Sequence, residues 1–288
     1  MKRLLILSGK GGTGKTTVAG AFIKLAQAEA VADCDVDAPN LHLIITNKEE
    51  NCETSIYHGL PKAMIDHKKC INCGLCFKHC RFDAIIKTDK YKIDTIACEG
   101  CGVCQAVCPT NAITMIPIIA GEKKLYVEDD HLFSTACLKM GNGTSGMLVS
   151  EVKKQLDKAA DDVELAIIDG SPGIGCPVIA SISGVDLVLI VTEPSISGIS
   201  DMERIVLTAL KLQAKVAICI NKYDTNLDKT NEIKDYCKKQ DLPFVGMIPF
   251  DQEAINAINA GLTIVEVESL SGLAVRKIYD EIIKLLFA

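Results

Sequence analysis

The sequence predicts an α/β protein: a mostly parallel sheet with helices on both faces, interrupted by a small α+β insertion. Three observations carry this expectation. Short apolar runs alternate with amphipathic helical stretches through most of the chain; a glycine-rich loop joins the first such run to the first helix; and eight cysteines in two copies of one spacing interrupt the alternation. Strands that read as continuous apolar runs, each followed by a helix, belong to parallel sheets buried on both faces.

Taken in order, Leu4–Leu7 is a buried strand and Thr16–Ala28 the helix opened by the glycine-rich loop. Val31–Asp35 reads as the second strand. After the cysteine-rich stretch, Glu151–Ala160 is helical and Leu165–Asp169 is a strand. Leu187–Val191, a helix near Asp201–Gln213 and the strand Val216–Asn221 repeat the unit. The helix Asp228–Lys239, the short strand Phe244–Met247 and two further helices complete the chain. The expected division is a discontinuous body, residues 1–61 and 119–288, around an insert at 62–118.

Composition bounds the function. The chain has 288 residues, 48% of them apolar and 24% charged, with a formal net charge of −6. These values suit a globular protein and give no electrostatic reason to expect nucleic acid as a partner. The longest apolar stretch, Val185–Val191, is strand-sized, and only four apolar residues precede Ser8, too few for a secretory core. A cytoplasmic location is expected, and there fourteen cysteines point to metal or redox chemistry rather than disulfides.

Residues 8–17, SGKGGTGKTT, contain G-x-x-x-x-G-K-[ST] as Gly9, Gly14, Lys15 and Thr16. In this pattern successive backbone N–H groups point at a phosphate, the lysine reaches the β and γ oxygens, and the hydroxyl ligates Mg²⁺. The loop holds a second lysine, Lys10, that the pattern does not need.

Cys70, Cys73, Cys76 and Cys80 spell C-x2-C-x2-C-x3-C; Cys98, Cys101, Cys104 and Cys108 repeat it at an offset of 28, followed by Pro109. The repeat runs on, with Asp83-Ala84-Ile85 matching Asn111-Ala112-Ile113. Zinc sites also use C-x2-C pairs, but with a longer gap between the pairs. The segment from about Lys62 to Ala120 resembles a two-cluster bacterial ferredoxin, in which the fourth cysteine of each run serves the other cluster. The resemblance implies one 4Fe–4S cluster on Cys70, Cys73, Cys76 and Cys108 and another on Cys98, Cys101, Cys104 and Cys80. Arg81 stands where that pattern often has proline. Residues 62–120 carry eight Lys and Arg against five Asp and Glu, a formal +3, and two cluster dianions bring this near neutrality, so the net charge names no redox partner.

Lys10-Gly11-Gly12-Thr13-Gly14-Lys15-Thr16-Thr17 resembles the deviant Walker A loop of the MinD/ParA/Mrp group, which includes the nitrogenase iron protein. Asp33-Cys34-Asp35 with Pro39-Asn40 is similar to that group's switch I, and Asp169-Gly170-Ser171-Pro172-Gly173 to its Walker B end and switch II. The inserted ferredoxin points to MinD-like ATPases that carry such a domain. Only Glu29 and Ala30 separate the first helix from the second strand, fewer than this group usually places there.

The resemblance implies roles. Lys15 and Thr16 hold phosphate and Mg²⁺, with Gly11, Gly12, Thr13, Gly14 and Thr17 completing the cradle. Asp169 steadies Mg²⁺. Asp35 orients the attacking water, and Asp33 supports the Mg²⁺ shell; a solvated acidic loop is the plain alternative for this pair. Lys10 reaches across a homodimer to the partner's nucleotide, so that ATP both bridges the dimer and depends on it for hydrolysis. Asn221-Lys222-Tyr223-Asp224 reads N-K-x-D, the guanine-reading pattern of small GTPases, whereas the resemblance implies adenine, with Asn221 on the base edge near Pro249–Asp251. The other cysteines, at 34, 52, 137, 176, 219 and 237, read mostly as small buried hydrophobes, although Cys137 and Cys176 stand where a third, dimer-bridging cluster is conceivable. The terminal stretch KIYDEIIKLLFA reads as a packing helix rather than a membrane-binding one.

The combination predicts a dimeric, Mg²⁺-dependent ATPase whose nucleotide state gates electron transfer through two 4Fe–4S clusters, with redox donor and acceptor unnamed. The alternatives are an iron–sulfur carrier ATPase like Mrp, with the cluster as cargo, and a spatial organiser like MinD.

Overall fold

The computed structural model describes residues 1–45, 51–128, 131–160 and 162–288, which fall into two compact units. The larger comprises residues 1–54, 123–137 and 145–288; the smaller comprises residues 55–122 and 138–144.

The chain begins with β1 (Lys2–Leu7), α1 (Lys15–Ala26), β2 (Ala30–Asp33), the single turn α2 (His42–Ile45) and β3 (Cys52–His58). The smaller unit holds β4 (Lys62–Ile65), α3 (Leu75–His79), β5 (Ile85–Lys87), β6 (Tyr91–Ile93), α4 (Val103–Ala106) and β7 (Ile113–Ile116). Then follow β8 (Ile119–Glu128), β9 (His131–Leu138), α5 (Ser145–Ala159), β10 (Leu165–Asp169), α6 (Cys176–Ile182), β11 (Leu187–Thr192) and α7 (Ile196–Lys211). The chain ends with β12 (Lys215–Asn221), α8 (Leu227–Lys239), β13 (Phe244–Ile248), α9 (Gln252–Asn259) and α10 (Leu270–Phe287).

The α/β architecture expected from the alternation is present. One large sheet runs β13-β12-β11-β1-β10-β2-β9-β8-β3, and from β13 through to β9 each neighbouring pair is parallel. From β1 the chain crosses to β2, on one side; from β10 it crosses to β11, on the other. That reversal opens a crevice at the carboxyl ends of the strands, where α/β sheets bind ligands. The sheet interior is saturated with apolar side chains, since Leu4–Leu7 and Leu187–Val191 are fully or almost fully buried. α10 buries Val275, Ile278, Ile282 and Leu286 in the same core, and Tyr279 meets Phe22 of α1 edge to face at 5.2 Å.

Several boundaries differ from the sequence reading. α1 stops at Ala26 rather than Ala28 because Gln27 adopts a left-handed conformation, φ 48°, and donates its N–H to the Ile23 and Lys24 carbonyls, a helix-ending cap. This leaves room for a turn before β2, which begins at Ala30 and ends at Asp33, not Asp35. α5 starts at Ser145 rather than Glu151, and α7 at Ile196, where Ser195 accepts the Gly198 N–H at 3.0 Å. The glycines and serines in these first turns hide the helical period. β3, β8 and β9 were not legible at all: β8 interleaves a glycine and charged residues with its apolar ones, so neither period stands out.

The smaller unit repeats itself. β4 pairs antiparallel with β7 (Ile65 opposite Ile113), and β5 with β6 (Ile85 opposite Ile93). Gly74 and Gly102 precede α3 and α4 in the left-handed region at φ 77° and 75°, and Asp83 and Asn111 share φ 51°. The offset of 28 in sequence is thus an equivalence of backbone conformation. Ala84, Ile85, Tyr91 and Ile113 form its core together with cysteine side chains.

Phe22 is wholly buried where α1, the sheet and α10 meet. Phe22→Ala is expected to cost about 3–5 kcal/mol through lost burial and a residual cavity, read as a lowered urea midpoint; an unchanged midpoint would show that α10 does not depend on this contact.

Candidate functional site

The loop Ser8–Gly14 leaves β1 at the crevice and turns into α1. Gly14 stands at φ 91°, and a β-carbon there would lie 2.3 Å from the Asn221 amide nitrogen, so position 14 demands glycine on two counts. The loop is braced from within by Ser8 and Thr13, whose hydroxyls donate to the Lys10 carbonyl at 2.9 and 3.3 Å. From β12, the Asn221 amide donates to the Thr13 carbonyl at 2.7 Å, and the Lys222 ammonium to the Gly12 carbonyl at 3.2 Å.

Lys15 and Thr16, at the start of α1, both turn to Asp169 at the end of β10. The Lys15 ammonium donates to Oδ1 at 2.5 Å and the Thr16 hydroxyl to Oδ2 at 2.7 Å, with Lys15 almost buried and Asp169 fully so. Asp33 ends β2 in register with Asp169. It is also fully buried and accepts backbone N–H groups from Asp35 at 3.0 Å, Asn40 at 3.1 Å and Leu41 at 3.0 Å, which folds the loop 34–41 around its carboxylate. That loop is also tied to the segment after β10: Cys34 N–H donates to the Asp169 carbonyl at 2.8 Å, and the Ser171 hydroxyl donates to the Cys34 carbonyl.

Burial pushes the Asp33 carboxyl up to about 7; the Asp169 charge adds to this, and the backbone donors and Lys15 oppose it. Asp35 is half-buried and also raised, by burial first, with Lys15 pulling it back. The buried Lys15 ammonium pairs directly with Asp169 and acts on Asp33 only through space, so the burial of Asp33 is not offset by an ion pair.

Lys10 lies in cis against β11 and α7. Its ammonium pairs with the Glu193 carboxylate and donates to the Ser197 hydroxyl at 3.4 Å. Glu193 is not legible as a partner in the sequence, because nothing local links it to the loop.

Beside the loop a cavity of about 210 Å³ is lined by Gly12, Asn221, Pro249, Phe250 and Asp251, with Ile255 and Ile258 from α9. Asp224, the last residue of the N-K-x-D stretch, accepts the Phe250 N–H at 2.8 Å and so shapes the cavity wall.

In the smaller unit, Cys70, Cys73, Cys76 and Cys108 border one cavity, and Cys80, Cys98, Cys101 and Cys104 border another. Each cavity therefore takes three thiols from one run and the fourth from the other, and apolar residues such as Ile65, Tyr91 and Ile113, or Ile85, Ile93 and Met115, complete its wall. Among the described residues no three His, Cys, Asp or Glu converge closely enough to hold a single metal ion. Burial raises the thiol pKa of Cys76 and Cys104. At Cys108 burial acts the same way, but hydrogen bonds, led by the Ala112 N–H at 3.2 Å from the sulfur, outweigh it and lower the pKa. Cys34, Cys219 and Cys237 are buried, whereas Cys137 and Cys176 are exposed, in β9 and at the start of α6.

A phosphate-type loop at the carboxyl edge of a parallel sheet, with a strand-end aspartate facing its lysine, defines a P-loop nucleotide-binding protein. The sequence profile of the CobQ/CobB/MinD/ParA nucleotide binding domain matches residues 4–264, and the chain belongs to that family. The uncharacterised protein MJ0578 of Methanocaldococcus jannaschii is 34% identical over 230 residues, spanning 78% of this chain and 79% of its own. A second protein of that organism, MJ0579, is 30% identical over 77% of this chain and 81% of its own. The septum site-determining protein MinD from Pyrococcus horikoshii, solved with Mg-ADP, superposes with a TM-score of 0.60 at 19% identity, covering 99% of this chain and 96% of its own. Among the described residues no helix is long and apolar enough to cross a membrane.

In the ligand-free protein, a carboxyl held at about 7 keeps a proton that the unfolded chain gives up above about 4, so this group's contribution to stability falls as pH rises through that window. Asp33→Asn lacks the penalty. Its stability relative to wild type is expected to climb by on the order of 2 kcal/mol between about pH 5 and 8, measured by urea unfolding at each pH; a difference flat with pH would place the penalty elsewhere.

Proposed function

We propose that the protein is an ATP-hydrolysing, nucleotide-switched dimer whose nucleotide state governs two 4Fe–4S clusters in its smaller unit. The observation that carries the iron–sulfur half is the pair of cavities, each bordered by four thiols with the fourth exchanged between runs. The apolar walls and the sulfur-directed N–H of Ala112 suit a buried thiolate-held group. Cys70, Cys73, Cys76 and Cys108 would hold one cluster; Cys80, Cys98, Cys101 and Cys104 the other. Such clusters supply one-electron chemistry at potentials set by charge and hydrogen bonding around them.

The nucleotide half rests on the family and the loop geometry. Asp169 holds Lys15 and Thr16; with nucleotide bound, the Lys15 ammonium would reach the phosphate oxygens, and the Thr16 hydroxyl and Asp169 would hold Mg²⁺. The charge of a Mg²⁺ held there would also offset buried negative charge at Asp169 and Asp33. Gly11, Gly12, Thr13, Gly14 and Thr17 direct backbone N–H groups or hydroxyls at the phosphates, and Asp35 orients the water. The cavity beside Asn221 and Phe250 takes the base, for which we favour adenine on the family resemblance; Asp224 Oδ1, which a guanine would need, accepts the Phe250 N–H. MinD from P. horikoshii binding Mg-ADP agrees with this choice.

Lys10 is assigned to the partner's nucleotide across the dimer, released from Glu193 on assembly. Lys10→Ala is therefore expected to bind ADP about as tightly as wild type and to lose ATP-dependent dimerisation in sedimentation velocity runs; a dimer unaffected by the change would remove the trans role.

The whole reading is tested on anaerobically purified protein. About eight irons per chain are expected, falling to about four in Cys108→Ala. In an EPR redox titration with no nucleotide, ADP or a non-hydrolysable ATP analogue, a nucleotide-dependent shift of even about 60 mV, roughly 1.4 kcal/mol for one electron, would show that nucleotide and clusters share free energy. Absence of iron would end the redox reading; clusters whose potentials and docking ignore nucleotide would favour the carrier alternative.

A further inference from the structure

The two cysteine runs share a backbone but not a surface. The first, Asp66–Arg81, carries Lys68, Lys69, Lys78 and Arg81 against Asp66; the second, Asp94–Pro109, carries Asp94 and Glu99 and no cation. At the offset of 28 each cation is replaced by an uncharged residue, Ile96, Ala97, Ala106 and Pro109 in turn, while Ile71 is replaced by Glu99. All four cations are exposed, and none forms an ion pair among the described residues. They accompany two exposed apolar side chains of the same run, Ile71 at 63% and Phe77 at 48%. The second run also exposes apolar side chains, Ile96 at 74% and Val103 at 41%, so it is the cations that set the two runs apart.

Exposed apolar side chains accompanied by unpaired cations are the composition of a transient docking face: charges steer the encounter and the apolar contact completes it. We infer that the face of the first run, Lys68–Arg81, docks an acidic one-electron carrier protein. This rests on the redox reading above, since the run supplies three of the four thiols around one cavity. Charge complementarity decides the partner's class, and the contrast between two runs of one fold shows that cluster binding itself does not call for the cations.

The test uses the iron-loaded full chain and a purified plant-type ferredoxin, a strongly acidic carrier, with affinity measured by calorimetry. The wild type is expected to bind at low salt and to weaken at least about tenfold between about 50 and 300 mM NaCl. The variant K68Q/K69Q/K78Q/R81Q should weaken at least about tenfold at low salt while keeping its iron content and EPR spectrum. Ile71→Ser should weaken binding with little change in salt dependence, and Glu99→Gln should leave it alone. Binding of the quadruple variant within twofold of wild type overturns the proposal, as does an equal loss in Glu99→Gln or tighter binding of a basic carrier such as cytochrome c. Salt-dependent binding of anionic vesicles or duplex DNA, with none of ferredoxin, also overturns it. Iron content separates the two levels: a chain that takes up no iron fails the redox reading, whereas one holding both clusters that ignores the ferredoxin fails this proposal alone.

Discussion

Two carboxyl groups, Asp33 and Asp169, end neighbouring strands in register, both fully buried, and the buried Lys15 ammonium pairs with Asp169. Isolated buried charge is unfavourable, so each carboxylate is tied down by different means. Asp169 takes the lysine and the threonine of the phosphate-type loop; Asp33 takes three backbone N–H groups and fixes the loop that follows β2. Because the Cys34 N–H also reaches the Asp169 carbonyl, the two loops are held as one piece. The loop that would cradle phosphate, the loop after β2 and the loop after β10 are in this way mutually dependent, and all three respond to whatever charge enters between them.

The smaller unit solves a different problem. Short strands and two single-turn helices bury little apolar surface, and its core includes cysteine side chains along with Ala84, Ile85, Tyr91 and Ile113. A domain this small is marginal on burial alone, and bound metal commonly supplies the missing stability. An internal repeat sets its form: the left-handed positions recur at the same offset as the cysteines, and each cavity takes its fourth thiol from the other run. Once duplicated, the halves were free to differ on their surfaces, and their charges now have opposite sign.

Lys10 shows how a conspicuous residue can be placed without its partner being visible. Its position in the loop is local information, but Glu193, at the far end of β11, is brought to it only by the crossing of β10 to β11 past β1. The same holds for Asn221, legible as a strand-end residue but bonded to a loop more than two hundred positions earlier. Sequence reasoning also described Asp33 chiefly through a metal, whereas in the fold both its oxygens accept backbone N–H groups and its first visible task is to shape the loop.

By itself the sequence determined the alternation that gives a parallel sheet, the phosphate-type loop, the strand-end aspartates and the duplicated cysteine runs. Each is a local pattern: a period, a glycine at a forced turn, a spacing along the chain. Tertiary structure alone decided which charges meet, how high burial drives Asp33, and that β3, β8 and β9 extend the sheet. Those outcomes depend on desolvation and on contacts between residues far apart in the chain. Neither leaves a periodic trace, and charged or glycine-containing strands such as β8 erase the trace they might have left.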